Sequence, residues 1–154
     1  MKKIKSIVTG GAGFIGSNLV DKLVKKGHKV IVIDNFISGK KSNLSHHSRK
    51  NVKIVKLDIS QDKNLSKYFI GVNYVFHLAG LAEIIPSIKD PAKYFINNTL
   101  GTLNILEAAK KVNIKKINRA NFQKSCRKFA KPSSSSAEVL WTLYLCVLRC
   151  GFLY

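Results

Sequence analysis

Acidic side chains are scarce in this chain of 154 residues: eight Asp and Glu stand against 27 Lys and Arg, for a formal net charge of +19. Cysteine is scarcer and late, at Cys126, Cys146 and Cys150. That odd number, with no CxxC pair and no Cys/His ligand set, gives no metal site; the cysteines read as unreactive thiols, with Cys146 and Cys150 able to pair only by chance oxidation. No apolar run reaches the roughly 18 residues of a membrane-spanning helix. The opening MKKIKSIVTGG is basic, but its apolar stretch is too short for a signal peptide, so a cytoplasmic protein is expected. No internal repeat is visible.

The missing acids leave a positive excess that would ordinarily point to nucleic acid or an anionic membrane surface. Its distribution argues otherwise. The charge is spread over the whole chain as 23 Lys and only 4 Arg, and Lys22, Lys25, Lys26, Lys110 and Lys111 fall on solvated helix faces. Without a recognition motif or interleaved aromatics, a general lysine bias explains it. No nucleic-acid partner is expected, although anionic ligands are attracted by such a field.

What is present is a regular alternation of short β-rich runs and amphipathic segments, with a hydrophobic content of 45% that suits a globular core. Lys3 to Val8 predicts a strand. Residues 14–26, FIGSNLVDKLVKK, predict a helix with Ile15, Leu19, Leu23 and Val24 on its buried face, ended by Gly27. HKVIVID is a continuous apolar strand, as in a parallel sheet covered on both sides. Residues 51–58 (NVKIVKLD) and part of 71–80 (GVNYVFHLAG) give two more strands. Residues 97–113 predict a helix with Leu100, Leu103, Ile105, Leu106 and Ala109 on its apolar side. Strands alternating with helices imply an α/β fold, a Rossmann-type doubly wound parallel sheet with strand order 3-2-1-4, incomplete at about four recognisable strands.

TGGAGFIG, at residues 9–16, lies between the first strand and the first helix and carries Gly10, Gly11, Gly13 and Gly16. Glycine takes the tight turn cheaply and lets the backbone approach a pyrophosphate, while the helix N-terminus supplies free N–H groups and a positive dipole end. Asp34 ends the second strand, 18 residues beyond Gly16. A carboxylate there accepts hydrogen bonds from ribose hydroxyls and repels a 2′-phosphate, which favours NAD over NADP. Asp58 ends the third strand, placed either to contact an adenine or to cap the following turn. Leu78, Ala79 and Gly80 end the fourth, where small residues let the chain pass under a cofactor. His77 reads as a satisfied core histidine, and His46 and His47 as solvated loop residues.

These motifs, with IDNFISGKKSNL, LDI, FHLAGLAEIIPSIKDP and NNTLGTLNILEAAKK, resemble the NAD-dependent epimerase/dehydratase family of extended short-chain dehydrogenases/reductases, and most of all its nucleotide-sugar epimerases of the UDP-glucose 4-epimerase type. The resemblance covers roughly residues 3–116. It implies pyrophosphate contacts from the Phe14 and Ile15 N–H groups and an adenosine ribose held by Asp34 and Asn35, with Ser38 and Gly39 nearby. It further implies an adenine flanked by Asp58 and Ile59, a nicotinamide path lined by Leu78, Ala79 and Gly80, and a family role for Asn98. Lys89-Asp90-Pro91 would be the turn into the helix that carries Asn98. The implied reaction is NAD-mediated oxidation and re-reduction of a nucleotide-sugar carbon, with a Tyr-x-x-x-Lys base.

That base is the absence that matters most. Four places after Tyr68, Tyr74, Tyr94 and Tyr144 stand Val72, Leu78, Asn98 and Leu148, and Tyr154 is the last residue, so no Tyr-x-x-x-Lys exists and no catalytic residue is assigned. Past INRANFQKSCRKFAKP, which shows no apolar strand, Ser133 to Ser136 come late for the family's serine stretch. Every isoleucine lies at or before Ile117 and none in the 37 residues that follow. A cofactor-binding half-domain over 1–116 and an atypical tail over 117–154 are therefore expected, the tail resembling the product of a frameshift or truncation. Its apolar end, VLWTLYLCVLRCGFLY, would pack on the open sheet edge, serve a partner or membrane surface, or be random apolar sequence. The expected function is the NAD-binding portion of such an enzyme, inactive alone; a non-catalytic NAD-binding or interaction module is the alternative. A nucleotide sugar is the expected substrate, and the oligomeric state is open.

Overall fold

The computed structural model describes residues 3–119 apart from 63, 113 and 115, all within the unit Met1–Ala120. The cysteines, the serine run and the apolar end lie outside the described residues, as does nearly all of the expected tail.

Five parallel strands form one sheet: β1 (Lys5–Thr9), β2 (Lys29–Asp34), β3 (Val52–Lys56), β4 (Tyr74–His77) and β5 (Lys116–Arg119), in the order β3-β2-β1-β4-β5. Helix α1 (Phe14–Lys25) connects β1 to β2, and a 3₁₀ turn (Lys41–Leu44) lies between β2 and β3. The short α2 (Ser66–Phe69) precedes β4. After β4 come α3 (Ile84–Lys89), α4 (Pro91–Phe95), a π turn (Ile96–Leu100) and α5 (Gly101–Lys111).

The apolar run of β2 is divided between two cores. Val30 and Val32 join Val8, Val20, Leu23, Leu44 and Val52 on the α1 side. Ile33 joins Ile7, Val75, Phe69, Ile105 and Ala109 on the α2 and α5 side. Alternation in β1 and β2 thus feeds both faces, as the period of two in a strand requires. Phe69 is fully buried; its truncation to Ala is worth about 3–5 kcal/mol.

Three expectations need correction. A fifth strand exists where none was legible: Lys116–Arg119 pairs in register with β4, Tyr74 opposite Lys116 and Val75 opposite Ile117. Outermost on its side of the sheet among the described residues, it sits on backbone hydrogen bonds to β4 and on one inward apolar side chain, Ile117, so its sequence carries no strand pattern. In α1, Ile15 is 68% exposed, and the buried face is Gly16, Ser17, Val20 and Leu23, with Leu19 and Val24 packed partly against it. Counting only apolar residues overlooked the small ones that let the first turn lie close. The helix predicted over 97–113 is the continuation of α4: Asp90 caps it, accepting the Lys93 N–H at 3.0 Å, Pro91 occupies its first turn, and it ends at Lys111. Its buried residues include Thr102, Ile105, Ala108 and Ala109, whereas Leu100 is exposed.

Of the two loop histidines, His46 is exposed as expected, whereas His47 is mostly covered. His46 and His47 both turn onto Asp21 of α1, and the His47 side chain keeps only 9% of its exposure. Among the described residues no helix is long and apolar enough to cross a membrane.

Candidate dinucleotide site

From β1 the chain goes one way across the sheet to β2 and β3, then crosses back to β4 on the other side. The crevice at such a switch point opens beyond the carboxyl ends of β1 and β4, where open α/β sheets take their ligands. The glycine loop, the Asp34 corner and the Leu78–Gly80 turn all meet its rim.

Gly10 follows β1 with a φ of 68°, and a Cβ there would lie 2.7 Å from the Ala79 nitrogen. The loops after β1 and β4 therefore cross in direct backbone contact, which the missing side chain permits. A Cβ on Gly16 would overlap the Gly10 carbonyl oxygen, so the first turn of α1 rests on the same loop. Gly13 differs: a Cβ there would meet only the Gly10 oxygen, at an ordinary 3.4 Å. The protein itself does not exclude a side chain at Gly13, and the open space in front of it lies at the helix N-terminus. The next two residues, Phe14 and Ile15, are 83% and 68% exposed, and N–H groups of a first helical turn have no acceptor inside the helix. No side chain caps this end. A cradle that a Cβ would fill, facing unpaired amides at a positive dipole end, fits a pyrophosphate.

Asp34 is buried at the end of β2. Its Oδ2 accepts the Ala12 N–H at 2.9 Å and its Oδ1 accepts the Phe36 N–H at 2.8 Å, which leaves lone pairs on both oxygens. Phe36 takes a φ of 61°, the one non-glycine residue with positive φ among those described, and that turn aims its N–H back at the carboxylate. Gly39 closes the corner: a Cβ there would be 2.9 Å from the Ala12 Cβ and 3.1 Å from Asp34 Oδ1. Ser38 is exposed beside it. The Lys40 N–H and the Asn43 side-chain amide donate to the Ala12 carbonyl at 3.1 and 2.8 Å, so the loop after β2 is tied to the glycine loop.

Asn35 bridges to the next strand end, its Nδ2 donating to Asp58 Oδ2 at 3.3 Å. Asp58 Oδ1 also accepts the Ser60 hydroxyl at 2.6 Å and the Ser60 N–H at 2.9 Å. Burial pushes the Asp58 carboxyl up, but the Ser60 and Asn35 hydrogen bonds outweigh it and hold the group below its ordinary value. Asp58 thus caps its own turn and stays charged at the rim. The Ile59 side chain belongs to the core, and its carbonyl accepts Asn104 Nδ2 at 2.8 Å.

Beyond β4, Leu78 and Ala79 are half-buried and Gly80 is exposed. Their course is set by residues that sequence reasoning did not assign. The Leu78 N–H donates to the Thr9 carbonyl and the Ala79 N–H to the Thr9 hydroxyl, at 3.0 and 3.3 Å. Thr9 Oγ1 lies 2.6 Å from His77 Nδ1, and His77 Nε2 lies 2.9 Å from Thr102 Oγ1. The Thr102 hydroxyl donates to the Asn98 carbonyl at 2.5 Å, so it accepts from His77 Nε2–H, and Nδ1 accepts the Thr9 proton. His77 is buried and hydrogen-bonded on both ring nitrogens, in keeping with its reading as a core histidine. Asn98 lies in the π turn and spends its side-chain amide on the backbone of Leu81. It holds the loop that borders the crevice. The DIS run at 58–60 was a legible signal for Ser60; Thr9 and Thr102 carried none.

Comparison with known proteins agrees with this geometry. The family model described as the NAD dependent epimerase/dehydratase family matches residues 6–140. UDP-glucuronic acid decarboxylase 1 of Arabidopsis thaliana is 41% identical over 112 residues, which are 72% of this chain and 25% of that protein. The UDP-glucose 4-epimerase of Thermotoga maritima, solved with UDP-glucose, superposes with a TM-score of 0.69 at 39% identity, over 75% of this chain and 37% of that one. That of Thermus thermophilus, solved as its complex with NAD, gives a TM-score of 0.65 at 36% identity, over 74% of this chain and 36% of that one. The chain thus spans about a quarter of the length of the decarboxylase and little more than a third of either epimerase.

Proposed function

The chain belongs to the NAD dependent epimerase/dehydratase family, and on that premise we propose that its Met1–Ala120 unit is the NAD-holding portion of an enzyme that oxidises and re-reduces a nucleotide-sugar carbon. The observation that carries this reading is Gly13: the fold leaves room for a side chain there, so its absence serves a ligand lying on the first turn of α1.

In this reading the Phe14 and Ile15 N–H groups hold the pyrophosphate. The Asp34 lone pairs left over from Ala12 and Phe36 take the adenosine ribose hydroxyls, with Asn35, Ser38 and Gly39 around them. Fixed negative charge at that corner excludes a 2′-phosphate. The Asp58 carboxylate and the Ile59 N–H border the adenine, and Leu78, Ala79 and Gly80 lead to the nicotinamide end. Asn98 positions this last stretch. NAD, when bound, supplies a hydride acceptor. The chain's own residues bind and orient it, and none of them is a Tyr-x-x-x-Lys base, so the chain holds cofactor without turning over a nucleotide sugar by itself.

The missing base equally favours a second reading, a non-catalytic NAD-binding or interaction module. Calorimetric titration of the purified chain with NAD and with NADP, followed by an epimerisation assay with UDP-sugars, tests the proposal. NAD binding in preference to NADP, without turnover, is expected. A folded sample that binds no NAD overturns both readings, and measurable turnover overturns the argument from the missing base. Turnover restored by adding the remainder of a family enzyme selects the enzyme portion over the module.

A further inference from the structure

Consecutive residues ordinarily send their side chains apart, yet His46 and His47 converge on one atom. Their Nε2 atoms lie 3.0 and 2.6 Å from the same oxygen, Oδ1 of Asp21, and their rings are stacked obliquely with centroids 4.1 Å apart. The backbone makes this possible. The His47 N–H returns to the Leu44 carbonyl at 3.2 Å after the 3₁₀ turn, and Leu44 is buried against α1 beside Val20 and Leu23. The core thereby fixes the histidine turn over the helix that carries Asp21.

We propose that Asp21, His46 and His47 form a site for a late first-row divalent metal ion, with two imidazole nitrogens and one carboxylate oxygen as ligands. The donor set is that of zinc, nickel, cobalt or copper, and oxygen-seeking magnesium or calcium has too few oxygens here. The ligand atoms of the three side chains all lie within 4.8 Å of one another. In a tetrahedral zinc site with bonds of about 2.0–2.1 Å, neighbouring ligand atoms stand about 3.3 Å apart. The existing nitrogen–oxygen separations reach that value with shifts of less than about 1 Å. Binding replaces the two N–H protons that now point at Oδ1 and leaves coordination positions for water on the exposed His46 side. The site lies apart from the dinucleotide crevice, on the outer run of α1. It would staple the loop carrying Ser38 and Gly39 to the helix whose first turn faces that crevice, and it does not depend on the proposed NAD chemistry.

The test uses the full chain without an affinity tag, with Cys126, Cys146 and Cys150 changed to Ser so that thiolates cannot bind the probe. Zinc is titrated calorimetrically, and cobalt is titrated in parallel by visible absorption. About one equivalent of zinc is expected to bind. His47→Gln, His46→Gln and Asp21→Asn should each weaken binding on the order of tenfold or more, and His28→Gln, outside the cluster and bonded to Ser6 instead, should leave it unchanged. Circular dichroism verifies that each variant is folded, and exposed His46 gives the variant least able to disturb the fold. Absence of zinc binding in the folded parent, or binding that His46→Gln leaves intact, overturns the proposal.

Discussion

Asn98 grips the main chain of Leu81 on both sides: its Oδ1 accepts the Leu81 N–H at 2.7 Å, and its Nδ2 donates to the Leu81 carbonyl at 2.9 Å. An amide reproduces here the pairing that a neighbouring strand would give, at the point where the chain leaves the sheet and runs past the crevice. Asn98→Ala should free that loop, with a stability loss of about 1–3 kcal/mol for two part-buried groups left to find water. NAD affinity should fall with it, because Leu78 to Gly80 lose their fixed course. Amide exchange at Leu81, read beside the NAD titration, checks the cause. If exchange at Leu81 stays as slow as in the parent, the clamp is not what holds the loop.

Two glycines of one motif should behave oppositely. Gly16→Ala places a Cβ onto the Gly10 carbonyl oxygen, backbone that cannot step aside, and overpacking of this kind costs about 1–3 kcal/mol or more. Gly13→Ala meets only an ordinary contact and should leave the melting temperature nearly unchanged while abolishing NAD binding. Thermal melts with and without NAD separate the two effects. A Gly13→Ala chain that binds NAD like the parent would remove the pyrophosphate from this corner.

On the proposed reading, Asp34 joins structure and recognition in one side chain. Asp34→Asn turns one acceptor oxygen into an N–H₂ group facing either the Ala12 or the Phe36 N–H, both now donors to the carboxylate. The expected outcome is a loss of about 1–3 kcal/mol in stability, together with weaker NAD binding and less discrimination against NADP. Denaturant melts and parallel titrations of the two nucleotides measure these quantities. Discrimination kept intact in the variant would place the selection against a 2′-phosphate elsewhere.

Much of this arrangement was legible from local pattern. TGGAGFIG as the turn from β1 into α1, VIVID as a buried strand, and Ile105 and Ala109 on a buried helix face read correctly because each announces itself by a period or a turn requirement, and the strand order 3-2-1-4 followed from handed crossovers. What escaped reading depends on partners distant in sequence. Lys116–Arg119 is a strand only because β4 offers it an edge. Ile59 is core because Gly101 lets α5 approach it, a Cβ on that glycine falling 3.0 Å from Ile59 Cγ1. The His77 chain needs Thr9 and Thr102, which no spacing rule connects. The convergence of His46 and His47 on Asp21 spans 25 and 26 residues, and two adjacent histidines in a polar loop give no hint of it.

Asp58 gives the fold a defined acid sensitivity. Its folded pKa lies below the ordinary 3.8 because the Ser60 and Asn35 hydrogen bonds outweigh the upward push of burial. The unfolded chain therefore binds the proton more tightly than the folded one. The stability that Asp58 contributes is fully present above 3.8 and disappears as pH falls through the lower, folded value. Asp21, also held low by its two histidines against the push of burial, acts in the same window, so the wild-type curve alone does not isolate Asp58. Ser60→Ala does: it removes the hydroxyl donor, returns Asp58 toward its ordinary value and leaves Asp21 untouched. Denaturant melts between about pH 5 and pH 2 should show a shallower loss of stability in Ser60→Ala than in the parent. Parallel curves in the two proteins would mean that the Ser60 hydroxyl does not favour the charged form of Asp58.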